Sequence, residues 1–200
     1  MSEAAHKDYT GAKLGMWLFL FTELILFGGL FILYAVYLHR YPAEFAAAGS
    51  ELNEVFGAAN TLLLLSSSLA IALATSAIQR GAKGRTLWLV GATIASALIF
   101  MVNKYVEWSA KIGHGLYPDG PAMLERPPGE IAFFSLYYIT TGLHGLHVLI
   151  GGALLVWVWL RVAADAIHAE DYVALENSGL YWHLVDLVWI FIFPLYYLII

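Results

Sequence analysis

Five separate stretches of this 200-residue chain are apolar over about 20 residues or more, the length an α-helix needs to cross the hydrocarbon core of a bilayer. They run from Leu14 to Leu38, Phe56 to Gln79, Thr86 to Val106, Ile131 to Leu160 and Ser178 to Ile199. Lipid offers a backbone no hydrogen bonds, so each stretch must satisfy its own amides, and a helix does so within one segment. The expected fold is an all-α membrane protein. A single five-helix bundle occupies residues 14–200, after a polar tail of residues 1–13. The fourth stretch is long enough to tilt or to project beyond the bilayer.

Composition narrows the class further. Charged residues are 12% of the chain and apolar ones 60%, against about 25% charged in a soluble domain. Such a chain cannot clothe itself in polar surface. The net charge of −5 is spread over short clusters, and no basic patch exists to hold nucleic-acid phosphates. With no cysteine, disulfides, thiolate metal sites, iron–sulfur clusters and covalent haem attachment are excluded. The N-terminal MSEAAHKDYTGAK lacks a small-residue cleavage site and reads as a tail before a retained helix, not as a signal peptide.

Orientation follows from the cations. With the N-terminus inside, the inner segments hold Lys7, Lys13, Arg80, Lys83, Arg85 and Arg161; the outer ones hold Arg40, Lys104, Lys111 and Arg126. The turn QRGAKGR concentrates three of them, which favours N-inside and C-outside. Small residues at helical spacing (Gly28 and Gly29, the run SSSLAIALA, Gly91 with Ala95, Gly151 with Gly152) allow close helix approach.

Ionisable groups within the spans are costly, which makes each one a functional candidate. Glu23, in WLFLFTELILFGGLF, has no cation in its own helix, and an unpaired carboxyl in lipid is favoured as the neutral acid. It suits either proton exchange or simple interhelical packing. His144 and His147, three apart, share one helix face, as do His183 and Asp186. Two such faces suit a metal ion if they converge, or an interhelical hydrogen-bond network that fixes helix register. Glu107 stands beside Lys104 at the outer end of the third span, as expected of an interfacial ion pair. Arg161, closing the fourth, suits a topology-setting charge and equally a lipid phosphate ligand. No phosphate loop, no Gly-x-Ser-x-Gly elbow and no oxyanion device near Ser135 and His144 is visible, which argues against a self-contained enzyme.

The strings WLFLFTELILFGGLF, ITTGLHGLHVLIG and SGLYWHLVDLVWIFIFPLYYL resemble subunit III of the haem–copper respiratory oxidases, in its five-helix form. The resemblance covers nearly the whole chain in order. It implies that Glu23 is the family's buried, carbodiimide-reactive carboxylate, and that His144, His147, His183, Asp186 and Glu107 occupy its interhelical polar positions. It implies a phospholipid headgroup at Arg161, although the two helices missing from this form help build the family's lipid cleft. It further implies a bacterial cytoplasmic-membrane complex that reduces oxygen with electrons from cytochrome c. In it this chain binds no haem, copper or other metal and supplies no catalytic residue. Haem and copper are expected in partner subunits, and the partners implied are the catalytic subunit I in direct contact, subunit II and a small subunit IV. Quinol oxidases and nitric oxide reductases have similar accessory proteins. A small proton-coupled transporter using Glu23, or a porphyrin or sterol binder, are readings of other classes; Pro194 as the one proline within the spans speaks against the broken helices of a transporter.

Overall fold

The computed structural model describes residues 8–198; Lys7 and Ile199, used above for topology and for the end of the last span, lie outside them. The described residues form seven helices: α1 (Tyr9–Arg40), α2 (Pro42–Gly49), α3 (Glu54–Gln79), α4 (Lys83–Gly113), α5 (Pro121–Leu124), α6 (Pro128–Ala163) and α7 (Val173–Tyr197). Five of them, α1, α3, α4, α6 and α7, are long and apolar enough to cross a membrane. The protein is a multi-pass membrane protein of one helical bundle.

Helices outrun the apolar stretches because hydropathy marks only where lipid lies, while capping decides where helices stop. The Asp8 carboxylate accepts from the Gly11 N–H at 2.7 Å and starts α1 inside the polar tail. Asn53 does the same for α3, accepting from Val55 and Phe56 at 3.0 and 3.2 Å. At the other end Gly81, with φ of 70°, closes α3 in the left-handed conformation that glycine adopts freely. The resulting turn makes α3 and α4 antiparallel neighbours. At 36 residues, α6 is about 54 Å long and exceeds the hydrocarbon core.

Helix α2 lies outside the five stretches. Pro42 opens it with a preset φ, and its short apolar face buries Phe45 and Ala48 completely. Glu44 on this helix accepts from the backbone N–H of Gly129 at the start of α6. Only glycine fits there, since a Cβ would run into Tyr41 and Glu44.

The core is a ring of α3, α4, α6 and α7, with α1 laid against α6 and α7. Of its most apolar window, α7 buries 56% and α1 only 11%, so α7 is the central helix and α1 the peripheral one. Leu20, Phe27 and Tyr34 recur every seventh residue as the inward stripe of α1. The Tyr34 hydroxyl donates to the carbonyl of Leu195 in the last turn of α7. Close approach is made at Gly57, against the Phe193 and Tyr197 rings, and at Gly151, against Tyr181 and Trp182. Two indoles knit α7 to α3: Trp182 donates to the Ser67 hydroxyl at 2.9 Å and Trp189 to that of Thr61 at 3.0 Å.

Candidate functional site

The intramembrane polar residues separate into three sites. The first joins α1 to α6. Oε2 of Glu23 lies 2.9 Å from Nε2 of His147, and both side chains are mostly covered. Glu23 therefore has a partner, supplied by another helix, where its own helix has none. The other ring nitrogen of His147, Nδ1, is 2.8 Å from the carbonyl of Leu143. A carbonyl only accepts, so Nδ1 carries a proton. That leaves one proton for the Nε2–Oε2 contact. The pair is either a carboxylic acid donating to a neutral imidazole or a carboxylate accepting from an imidazolium. Both forms have zero net charge, which lowers the cost of placing them at membrane depth. Phe27 and Tyr181 flank the imidazole, and the Tyr181 hydroxyl donates to the carbonyl of His147 at 3.3 Å.

The second site lies near the α2 end of the bundle. Lys104 and Glu107 pair at 2.8 Å, as their spacing suggests, and both side chains are buried within the bundle. The Lys104 ammonium donates to Glu107 Oε2 and to the hydroxyls of Tyr137 and Tyr197, both at 3.0 Å. The two phenols in turn donate to Glu107 Oε1 at 2.8 and 2.7 Å. Three ammonium protons and two phenol protons all have acceptors. This closed network is how a buried ion pair offsets its desolvation. Asn103 and Asn60 bond beside it at 2.8 Å. Tyr137 and Tyr197 cannot be singled out in sequence, because they reach Glu107 from α6 and α7.

The third site is on the inner face of α7. Nδ1 of His183 is 2.6 Å from the hydroxyl of Ser68 on α3. Asp186 is buried, with neither oxygen hydrogen-bonded to a described residue, and Ser68 faces it. His144 is also fully buried, packed against Phe100 and Trp189, with neither ring nitrogen hydrogen-bonded among the described residues. The four residues on the two faces thus divide among separate neighbours. No cluster of three His, Asp or Glu suited to an ion forms among the described residues. Arg161 is exposed at the end of α6, stacked 5.8 Å above Trp157. It borders a hollow of about 430 Å³ that Asp8 and Asn177 also line.

The fold and these sites define a class: a compact helical membrane protein whose interior carries two paired polar sites, Glu23–His147 and Lys104–Glu107, beside the buried Asp186 and His144. Residues 3–199 match the family model for cytochrome c oxidase subunit III, and the chain belongs to that family of the haem–copper oxidases. Cytochrome c oxidase subunit 3 of Thermostichus vulcanus is 30% identical over 197 residues, covering 98% of this chain and 90% of that protein. Cytochrome bo(3) ubiquinol oxidase subunit 3 of Pseudomonas aeruginosa is 28% identical over 195 residues, covering 97% of this chain and 88% of the relative. Heme-copper oxidase subunit I+III of Aeropyrum pernix is 27% identical over 196 residues, 92% of this chain but 22% of that longer protein.

Proposed function

We propose that this chain is the accessory third subunit of a bacterial haem–copper oxidase, packed on the catalytic subunit and sustaining its proton uptake without holding haem or copper itself. The observation that carries this reading is the family match along nearly the whole chain. The Aeropyrum pernix relative combines subunits I and III under one name, which supports direct contact with a catalytic subunit I. Subunit II and a small subunit IV complete the proposed complex. Lys and Arg placement supports an N-terminus on the cytoplasmic side of the cytoplasmic membrane.

The chemical contribution proposed for this chain is the Glu23–His147 pair. It holds one exchangeable proton, which can shift between Oε2 and Nε2 with no change in the pair's net charge, and releasing it leaves a carboxylate beside a neutral imidazole. A phospholipid headgroup is proposed beside Arg161, whose guanidinium is exposed and stacked on Trp157. Cytochrome c is the proposed electron donor. Quinol is the second reading, favoured by the near-equal similarity to the ubiquinol oxidase relative.

The supporting role is tested on the oxidase isolated with and without this chain. The reading expects the depleted enzyme to begin at a normal rate and then to inactivate sooner during turnover. Equal lifetimes for the two preparations overturn it.

A further inference from the structure

A cavity of about 630 Å³ opens at the α2 end of the bundle, between the start of α3, the end of α4 and the connection leading to α6. It belongs to neither the Glu23–His147 pair nor the hollow at Arg161. Its floor is apolar, from Phe56, Val106 and Ala110. That floor runs into a lipid-exposed strip of α4 on which Tyr105, Val102 and Leu98 are 74, 60 and 63% exposed.

The charges around it are unevenly paired. Lys111 is 9% exposed and lines the cavity, yet its ammonium makes one hydrogen bond, to the Glu51 carbonyl at 3.3 Å. Among the described residues it has no carboxylate within ion-pair distance. Arg126 has the opposite arrangement. Its guanidinium forks onto both oxygens of Glu51 and reaches Glu130 at 2.9 Å, and these carboxylates hold its pKa above the ordinary arginine value. Two carboxylates on one guanidinium leave a unit of negative charge. Lys111, with spare donors, is the separate positive one. Glu107 is already satisfied by Lys104 and the two phenols.

A site with zero net charge but separated cation and anion fits a ligand built the same way. We propose that this cavity binds an amine-headed zwitterionic phospholipid of the phosphatidylethanolamine type. The phosphate accepts from Lys111, the primary ammonium donates toward the Glu51 carboxylate, whose partner Arg126 is shared with Glu130, and an acyl chain follows Phe56 and Val106 onto the exposed strip of α4. A purely anionic headgroup satisfies Lys111 but meets the surplus carboxylate, and a free phosphate leaves the apolar floor uncovered. This lipid ties α3, α4 and the α4–α6 connection together, a role separate from proton exchange at Glu23.

The test is native mass spectrometry of the full chain, with whatever subunits accompany it, after exchange into mixed phosphatidylethanolamine and phosphatidylglycerol. The expected result is retention of phosphatidylethanolamine over phosphatidylglycerol at this site. Lys111→Gln should lose that retention about tenfold, whereas Arg80→Gln, exposed at the opposite end of α3, should leave it unchanged. Ala110→Phe, which fills the cavity from an exposed position without altering charge, should also lose it and guards against misfolding of the lysine variant. Equal retention of the two lipids, binding of inorganic phosphate alone, or unaltered retention in both Lys111→Gln and Ala110→Phe would overturn the proposal.

Discussion

His147 directs one ring nitrogen to the Leu143 carbonyl and the other to Glu23, at 2.8 and 2.9 Å. The backbone of α6 thus decides which nitrogen faces the carboxyl, and a single proton occupies the bond between α1 and α6.

Glu23→Gln keeps the size of the side chain and supplies an amide donor to Nε2. The chain should assemble as the wild type does, while labelling by a carbodiimide at this position disappears and the turnover lifetime of the oxidase shortens. His147→Phe should do the reverse to Glu23: its carboxyl survives without a partner, and labelling changes rather than vanishes. Peptide mapping after labelling, with the two variants side by side, separates these outcomes; failure of Glu23→Gln to assemble would assign Glu23 to packing.

The Lys104–Glu107 network predicts a strong asymmetry between single and double substitution. Removing one member of a buried ion pair leaves an uncompensated charge and typically costs about 3–5 kcal/mol. Glu107→Gln should therefore destabilise the purified chain far more than Lys104→Met combined with Glu107→Gln. Thermal unfolding in one detergent, arranged as a double-mutant cycle, measures the difference. Additive effects would show that the pair is not coupled.

Gly57 is the point of closest approach between α3 and the end of α7. A Cβ there would come 2.7 Å from the Phe193 ring and 2.9 Å from that of Tyr197. Gly57→Ala should cost about 1–3 kcal/mol through overpacking. Because one of the two rings in its way is that of Tyr197, which donates to Glu107, the variant should also lose part of the coupling measured in the cycle above.

Asp186 is held at 2% exposure with both oxygens lacking hydrogen-bond partners among the described residues. An ionised carboxylate in that position is the costliest alternative, so the group is expected to be the neutral acid. Asp186→Asn exchanges a neutral acid for a neutral amide of the same size and should then leave stability nearly unchanged. Infrared spectra should lose a protonated-carboxyl carbonyl band in the variant. A large loss of stability with no such band would mean that the wild-type group is charged and paired.

Hydropathy located all five long helices, because the bilayer imposes one length and one composition on each. It could not locate their ends, which Asp8, Asn53 and Gly81 set by local capping, nor α2, whose burial of Phe45 depends on α1 and α6. The polar sites divide in the same way. Glu23, Glu107 and the histidines announce themselves as ionisable groups in apolar runs. Their partners do not, because Glu23 and His147 are 124 residues apart, and Glu107 and Tyr197 90. Two of the three contacts that satisfy Glu107 come from tyrosines on other helices, and the sequence supplies no spacing from which to read them.

The most direct test of the central claim is affinity isolation of the tagged full chain in mild detergent, followed by visible spectroscopy and identification of the co-isolated proteins. The account predicts a stoichiometric haem-bearing catalytic subunit, with haem absorbance and oxygen reduction accompanying this chain. Isolation of the chain with no haem-bearing partner, or with one that reduces nitric oxide and not oxygen, would contradict it.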